Sequence, residues 1–351
     1  MSTFARKTAV ATLVAGGLVV LALALWKLRL VVGLLFAAMI IAAAIRPSVD
    51  WLGRHYVPRV VGLLLHYAAL LGLIAAGLTF AVPAARHQVT HALSPSGKAE
   101  IAHAAKHSKG IKHDALVALQ KRLAHLPKAR HFVGPAAAAG LKAFEILIGF
   151  FFTFAAAAYW VFERDAAVDL VCSLLPRPKR KLVRDTWRLI DLRLGAFVRG
   201  QVLLILAVGV MLSLLFWAIG EPYWILVGSF AGLVEVIPVI GPLSAGVLAV
   251  AVGFTASIHV AILAAICVLA VRMLQDYVVM PKVLGEAVGL SPLLVLVSVT
   301  TIGILFSGWA VLFAVPVAAV AVTLFDVILR DIDPAEQETP AVIFSPSDAE
   351  T

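Results

Sequence analysis

Residues 224–257 read WILVGSFAGLVEVIPVIGPLSAGVLAVAVGFTAS, an apolar segment that Pro238 and the Gly241-Pro242 pair interrupt near its middle. The segment is long enough for two helical passes, because a transmembrane helix needs ~20 apolar residues to cross ~30 Å of hydrocarbon. Proline lacks the backbone N–H and clashes with the preceding turn, so one regular helix cannot run through the break. The segment therefore predicts two membrane helices joined at a break.

The composition of the whole chain extends this prediction. Of its 351 residues, 62% are hydrophobic and only 14% are charged, and the mean hydropathy is +1.00. A soluble globular chain is about half apolar and a quarter charged. The composition excludes a soluble enzyme or a nucleic-acid binder. The net charge of +9 comes mostly from two basic stretches between apolar runs, which membrane topology and lipid headgroups explain better.

The apolar runs define the predicted architecture, an all-α polytopic transmembrane helical bundle with a small extramembrane helical domain. Its C-terminal half holds two helical hairpins interrupted by Pro and Gly. The expected segments are three spans in 1–85, a His/Lys-rich extracytoplasmic helical segment in 86–135, a fourth span in 136–162, cytoplasmic amphipathic helices in 163–199, a transport core in 200–329 and a disordered acidic tail in 330–351.

An amphipathic helix is predicted at residues 180–199. Apolar side chains recur at three- and four-residue steps, and arginines recur on another face; the apolar set is Val183, Trp187, Ile190, Leu194 and Phe197. Such a helix can lie on anionic lipid, or it can pack beneath the transmembrane bundle. The sequence leaves both uses open.

The short basic loops predict the orientation. Arg6 and Lys7, the turn at 46–59, the stretch 163–199 and Lys282 all fall on one side if the helices alternate. By the positive-inside rule this side is cytoplasmic, which places both termini in the cytoplasm. Residues 86–131 then lie outside although they are basic, because long loops translocate largely regardless of charge.

Two apolar segments, 224–257 and 293–329, are interrupted near their middles by Pro and Gly. Paired interrupted segments point to a transporter's substrate site, because broken helices expose backbone dipoles at membrane depth. Both segments are expected to be re-entrant. The alternative is two ordinary helical hairpins whose turns contain Gly and Pro.

Glu235 is the most informative single residue, since it precedes the first break and has apolar neighbours on both sides. A carboxylate in hydrocarbon costs at least ~2.5 kcal/mol, so it should face a cavity, a partner or a proton. The alternative is a side chain that reaches headgroup water or caps a helix. Arg272 and Asp276, with Gln275 beside them, have the spacing of an ion pair near a helix end; a gate or a cation ligand is the alternative.

Other chemistries find little support. The pairs His87/His91 and His103/His107 have a spacing that can hold a metal on a helix, but no acidic residue or cysteine completes either pair nearby. Cys172 and Cys267 are far apart, which argues against a disulfide. The sequence has no nucleotide-binding loop, serine elbow or zinc-protease motif. We therefore expect no bound metal, no cofactor and no enzymatic activity.

Four motifs carry a resemblance to a known family. They are RGQ at 199–201, GLVEVIPVIGP at 232–242, QDYVVMPKVLGEAVGLSP at 275–292 and GILFSGWAVLFAVPVAA at 303–319. In their order and spacing the chain resembles the autoinducer-2 exporter family of bacterial multispanning transporters. The resemblance implies a homo-oligomeric transporter of the bacterial cytoplasmic membrane that does not hydrolyse ATP. Some members have been connected with export of a quorum-sensing signal, and others with sodium/proton exchange.

The leading hypothesis is a secondary transporter or facilitator of a small solute, with Glu235 as the coupling carboxylate and Arg272, Gln275 and Asp276 along the pathway. The expected hinges are the Pro and Gly positions Pro238, Gly241, Pro242, Pro281 and Gly285. A sodium or lithium/proton antiporter is the alternative within transport. A non-transporting membrane scaffold is the alternative from another class, and it has no need of an acidic residue at a helix break.

Overall fold

The computed structural model describes residues 2–93, 133–279, 290–306 and 308–337, and within them the chain forms helices and no strand. In chain order these are α1 (Ser2–Lys27), α2 (Arg29–Arg54), α3 (Arg59–Leu93), α4 (Val133–Ser173), α5 (Arg177–Ala218), α6 (Trp224–Val234), α7 (Ile240–Ala256), α8 (Ile258–Leu274), α9 (Pro292–Phe306) and α10 (Ala314–Leu329). A π-helical turn, Gln275–Val279, follows α8, and a 3₁₀ turn, Gly308–Phe313, precedes α10.

Several sequence predictions fall outside the described residues. These are most of the His/Lys-rich segment 86–135, including His103 and His107, the loop with Pro281 and Gly285, and the tail beyond residue 337.

Among the described residues, six helical segments are long and apolar enough to cross a membrane: Arg29–Arg54, Arg59–Gly77, Phe144–Ser173, Arg177–Ala218, Ile258–Val279 and Gly308–Leu329. Their outward faces carry large apolar side chains such as Leu214 and Trp217, both more than half exposed. Exposed apolar surface of this kind marks contact with a membrane or a partner, and on helices of this length it suits lipid. The chain is therefore a multi-pass membrane protein, and the prediction of an all-α polytopic bundle is confirmed.

Two elements run on past the boundaries expected from the sequence. Helix α4 continues beyond Phe162, the expected end of the fourth span, to Ser173. The amphipathic stretch and the following span form one continuous helix, α5, because no Pro or Gly pair interrupts them. The apolar face of this stretch packs against α2, where Leu194 lies in a buried cluster with Ile40 and Ala43. Packing is thus one use that the amphipathic face has.

Small residues bring α5 and α6 together as an antiparallel pair. Gly228 lies against Ser213, and Gly232 lies against the backbone of Gly209 and Ile205. A Cβ atom at either glycine would overlap these neighbours. In lipid, helices associate through such close backbone approach rather than through a hydrophobic driving force. The glycines therefore fix the register of α6 on α5.

Pro47 shapes the contact between α2 and α5. A proline inside a helix removes the hydrogen bond to the carbonyl four residues earlier, here that of Ala43. Gly195 of α5 packs directly on this carbonyl, with no room for a side chain. Arg199, one turn further along α5, donates to the neighbouring carbonyl of Ala44 at 3.2 Å. The proline thus creates a polar docking point for α5.

Candidate functional site

The break between α6 and α7 positions the site. Helix α6 ends at Val234, and α7 begins at Ile240. Between them the N–H of Ile240 donates to the carbonyl of Pro238 at 2.7 Å, and Val239 has φ 66° and ψ −54°. This is a γ-turn with a positive φ at its central residue, a rare and strained conformation for a β-branched side chain.

Gly241 and Pro242 allow α7 to start immediately after this turn. A Cβ atom at Gly241 would overlap the carbonyl of Val234, so only glycine permits the end of α6 and the start of α7 to touch. Pro242 lies in the first turn of α7, where its missing N–H leaves no helix hydrogen bond unmade. The predicted break is therefore a tight, close-packed turn.

The carboxylate of Glu235 lies at this turn and is buried, with 8% of the residue exposed. Its Oε1 accepts a hydrogen bond from Nε2 of Gln275 at 2.5 Å. The Nη1 of Arg272 lies 3.5 Å from the same oxygen. From α5, Gln201 donates its side-chain amide to the backbone carbonyl of Glu235 at 3.0 Å. Glu235 is thus held by side chains from α5 and α8 as well as by its own turn.

Arg272 connects two carboxylates. Its Nε lies 2.9 Å from Oδ2 of Asp276, which is the ion pair that their spacing predicts. Asp276 and Arg272 are partly exposed, whereas Glu235 is buried. The cluster contains two carboxylates and one guanidinium, so it lacks one positive charge. A proton or a cation would balance it.

The π-helical turn Gln275–Val279 places the side chain of Gln275 beside Glu235. Gln275 is buried at the point where α8 changes from α- to π-helical hydrogen bonding. Single π turns are rare and occur often at functional sites. The sequence gives Gln275, Arg272 and Asp276 as neighbours, but the π turn itself has no signal in the residue pattern.

Glu221 is a second buried carboxylate that the sequence reasoning did not single out. It lies in the turn between α5 and α6, outside the membrane-spanning helices, and only 2% of the residue is exposed. Neither of its carboxylate oxygens has a hydrogen-bond partner among the described residues. Burial raises the pKa of Glu221 to about 7. In the sequence, Glu221 is visible only as an acidic residue between Gly220 and Pro222. The same pattern also fits an ordinary surface turn.

The surroundings of Glu221 come from the far ends of α7 and α8. A Cβ atom at Gly253 would lie 3.1 Å from Oε2 of Glu221 and would overlap the backbone of Ala261. Cys267 of α8 is close enough to interact electrostatically with the carboxylate. Helix α6 has 11 residues, so Glu221 and Glu235 mark opposite ends of a helix about 16 Å long.

The site residues predicted from the sequence divide into two groups. The structure brings together Glu235, Pro238, Gly241, Pro242, Arg272, Gln275 and Asp276 around one break. Pro281 and Gly285 belong to the loop that the structure does not describe. Over the described ranges, no three His, Cys, Asp or Glu side chains are grouped closely enough to hold a metal ion.

Comparison with known proteins assigns the family. The model of the AI-2E family transporters matches residues 16–330, which contain every helix of the site. The chain belongs to the AI-2E transporter family. This membership supports a role in membrane transport, and the resemblance seen in the sequence motifs is confirmed.

Named relatives agree with this assignment. The chain is 24% identical over 306 residues to "Putative transport protein YrrI" of Bacillus subtilis, an alignment that covers 84% of this chain and 86% of the relative. It is 27% identical over 312 residues to "Putative transport protein MT0215" of Mycobacterium tuberculosis, covering 84% and 82%. A third relative, "Putative transport protein YueF" of Bacillus subtilis, is 29% identical over 161 residues, covering 46% and 44%.

Proposed function

We propose that this member of the AI-2E family is a secondary transporter or facilitator that moves a small solute without ATP hydrolysis, with Glu235 as its coupling carboxylate. One observation carries the proposal: Glu235 is buried at the break between α6 and α7 and accepts a hydrogen bond from Gln275 in the π turn after α8. A buried carboxylate at a helix break in a membrane protein is the usual place for a proton or cation to act.

The coupling step follows from the charges around Glu235. While the carboxylate is ionised, it accepts from Gln275 and attracts Arg272. Protonation or cation binding weakens the attraction to Arg272, which keeps its other partner Asp276. The link between the break and α8 is then loosened, and α8 can move relative to α6 and α7. The strained γ-turn at Val239 supplies a place for this movement.

The short helices on either side of the break suit a re-entrant pair. Helix α6 has 11 residues, about 16 Å of rise, against ~30 Å of hydrocarbon. Irregular backbone at membrane depth is tolerated where protein covers it, and Gln201 of α5 and Gln275 of the π turn cover this turn. The pathway would then run along the break, within residues 199–329.

A cation/proton antiporter is the second candidate, and Glu221 favours it. Two buried carboxylates at opposite ends of α6 offer two positions at which protons and cations can exchange. A membrane scaffold, by contrast, has no use for either acidic group.

The proposal is tested with purified protein in liposomes that contain a pH-sensitive dye. We expect protein-dependent proton movement under an imposed pH gradient, and a further response to sodium or lithium if the chain is an antiporter. Glu145→Gln is the matched control for Glu235→Gln, since Glu145 is exposed on α4 and pairs with Lys142 away from the site. Fluxes equal to those of protein-free liposomes under every gradient would leave the scaffold as the better function.

Location and assembly complete the proposal. We infer a bacterial cytoplasmic membrane, with both termini in the cytoplasm and residues 86–131 outside, from the basic residues in the short loops. A homo-oligomer is the assembly that the family resemblance implies.

A further inference from the structure

A cavity of about 80 Å³ lies between α2, α4 and α5, apart from the Glu235 site. Its polar lining consists of Arg46, Arg164, Arg188, Arg199 and Asp191, and Trp160 forms part of the wall. Arg46 lies on α2, Trp160 and Arg164 lie on α4, and Arg188, Asp191 and Arg199 lie on α5. Neither the transport hypothesis nor the family assignment assigns a role to this cavity.

Arginines outnumber acidic groups at the cavity. The lining contains four guanidinium groups and one carboxylate, that of Asp191, a difference of three positive charges. Two further aspartates touch the lining arginines, since Asp165 contacts both Arg46 and Arg164 and Asp50 contacts Arg46. The lining itself is therefore rich in guanidinium groups, with four arginines and one aspartate among its residues.

Ion pairs hold two of the lining arginines, Arg46 and Arg164, in place. The Nε of Arg164 lies 2.7 Å from Oδ2 of Asp191, and Arg46 lies 2.8 Å from Asp165. On α5, Arg188 and Arg199 enter the lining from either side of Asp191. Arg199 additionally donates a hydrogen bond to the carbonyl of Ala44, three residues before Pro47. Guanidinium groups fixed in this way are preorganised for an anion.

We propose that this cavity binds a phosphate group. A guanidinium presents a planar fork of N–H donors that matches phosphate oxygens, and its charge is never lost in a protein. The remaining wall, with Ala42, Val161 and Leu192, is apolar, and Trp160 is of the residue type found at headgroup level. Basic pockets between transmembrane helices bind the headgroups of anionic lipids. The phosphate therefore comes from a lipid such as phosphatidylglycerol, or from a soluble phosphate of the same chemistry.

The experiment compares two arginines on α5. Arg188 lines the cavity, whereas Arg184, one helical turn earlier, pairs with Asp169 on α4 and is absent from the lining. Both side chains are exposed, so Arg188→Gln and Arg184→Gln should fold alike. The full-length protein in neutral detergent is titrated with phosphatidylglycerol, phosphatidylcholine or inorganic phosphate. The readouts are the thermal unfolding midpoint and the lipid retained in native mass spectra.

We expect phosphatidylglycerol to raise the midpoint of the wild type and of Arg184→Gln, with at least half of this shift lost in Arg188→Gln. A lipid source predicts retained phosphatidylglycerol and no shift with inorganic phosphate. A soluble source predicts a shift with inorganic phosphate that Arg188→Gln also reduces. The proposal is overturned if neither ligand raises the wild-type midpoint, if phosphatidylcholine acts as strongly as phosphatidylglycerol, or if the two variants respond equally.

Discussion

Gln275 donates its side-chain amide to the carboxylate of Glu235 across 2.5 Å, and this bond joins the end of α8 to the break between α6 and α7. Forty positions separate the two residues in the chain. The contact is buried, so water does not readily replace either partner. It makes the π turn after α8 and the γ-turn at Val239 parts of one polar cluster.

Replacing Gln275 should therefore weaken the protein and the site together. Gln275→Ala leaves the buried Glu235 carboxylate without its closest donor, which costs about 1–3 kcal/mol. The measurement is the thermal unfolding midpoint in detergent, followed by flux in liposomes. Tyr277→Phe is the control, because Tyr277 lies in the same π turn with its side chain largely exposed. Equal midpoints for both variants and the wild type would show that the bond adds nothing.

Glu221 should make stability depend on pH. The folded protein holds the proton of this carboxyl up to a pKa of about 7, whereas an unfolded chain releases it near 4.5. Between these values the folded state binds more protons, so stability falls as the pH rises from about 4.5 through about 7.

Glu221→Gln removes this contribution while keeping the shape of the side chain. We expect its unfolding midpoint to fall less than that of the wild type over this pH interval, and Glu145→Gln to behave as the wild type does. Parallel curves for Glu221→Gln and wild type would contradict the buried, proton-holding state of Glu221.

The close contact between α5 and α6 predicts a difference between two glycines. Gly232→Ala should destabilise the protein by about 1–3 kcal/mol, because the new methyl group overlaps the backbone of Ile205 and Gly209. Gly72→Ala on α3 has nothing within 4 Å of the added atom, so it should be neutral or stabilising by up to about 1 kcal/mol. Unfolding in detergent measures both, and a Gly232→Ala variant as stable as Gly72→Ala would rule out this packing.

The proposed topology makes a prediction of its own. Reporter fusions at Gly110 and at Lys179 should give opposite readouts, with Lys179 in the cytoplasm, because the Arg and Lys residues of the short loops are retained there. Activity of a cytoplasmic reporter and of a periplasmic reporter at each position is the measurement. The same readout at both positions would be incompatible with this topology.

Much of the architecture was predictable because lipid imposes strict rules on a sequence. Apolar runs of sufficient length predict the spans, and the Pro and Gly positions at 238–242 predict the break at which α6 ends and α7 begins. The i, i+4 spacing of Arg272 and Asp276 predicts their ion pair. These features depend on neighbours in the chain, which the sequence shows directly.

Features that depend on distant contacts could not be predicted in the same way. The bond from Gln275 to Glu235 requires the π turn after α8, and the burial of Glu221 requires Gly253 of α7 to lie against it. Likewise, Arg193 belongs to a charged stretch of the sequence, yet it is buried. Its guanidinium donates a hydrogen bond to the hydroxyl of Thr323 on α10 at 2.8 Å. Tertiary packing decides these cases, since residue type and periodicity are the same whether the side chain is buried or exposed.

The most direct test of the account is gradient-driven flux in liposomes for three forms of the protein, namely wild type, Glu235→Gln and Glu235→Asp, across a range of pH. Glu235→Gln keeps the shape of the side chain and removes its ionisation, so we expect flux to be abolished while folding and assembly stay as in the wild type. Glu235→Asp keeps the charge but withdraws it by about one methylene, so part of the flux should remain. Flux in Glu235→Gln equal to that of the wild type at every pH would contradict the central claim that Glu235 couples transport.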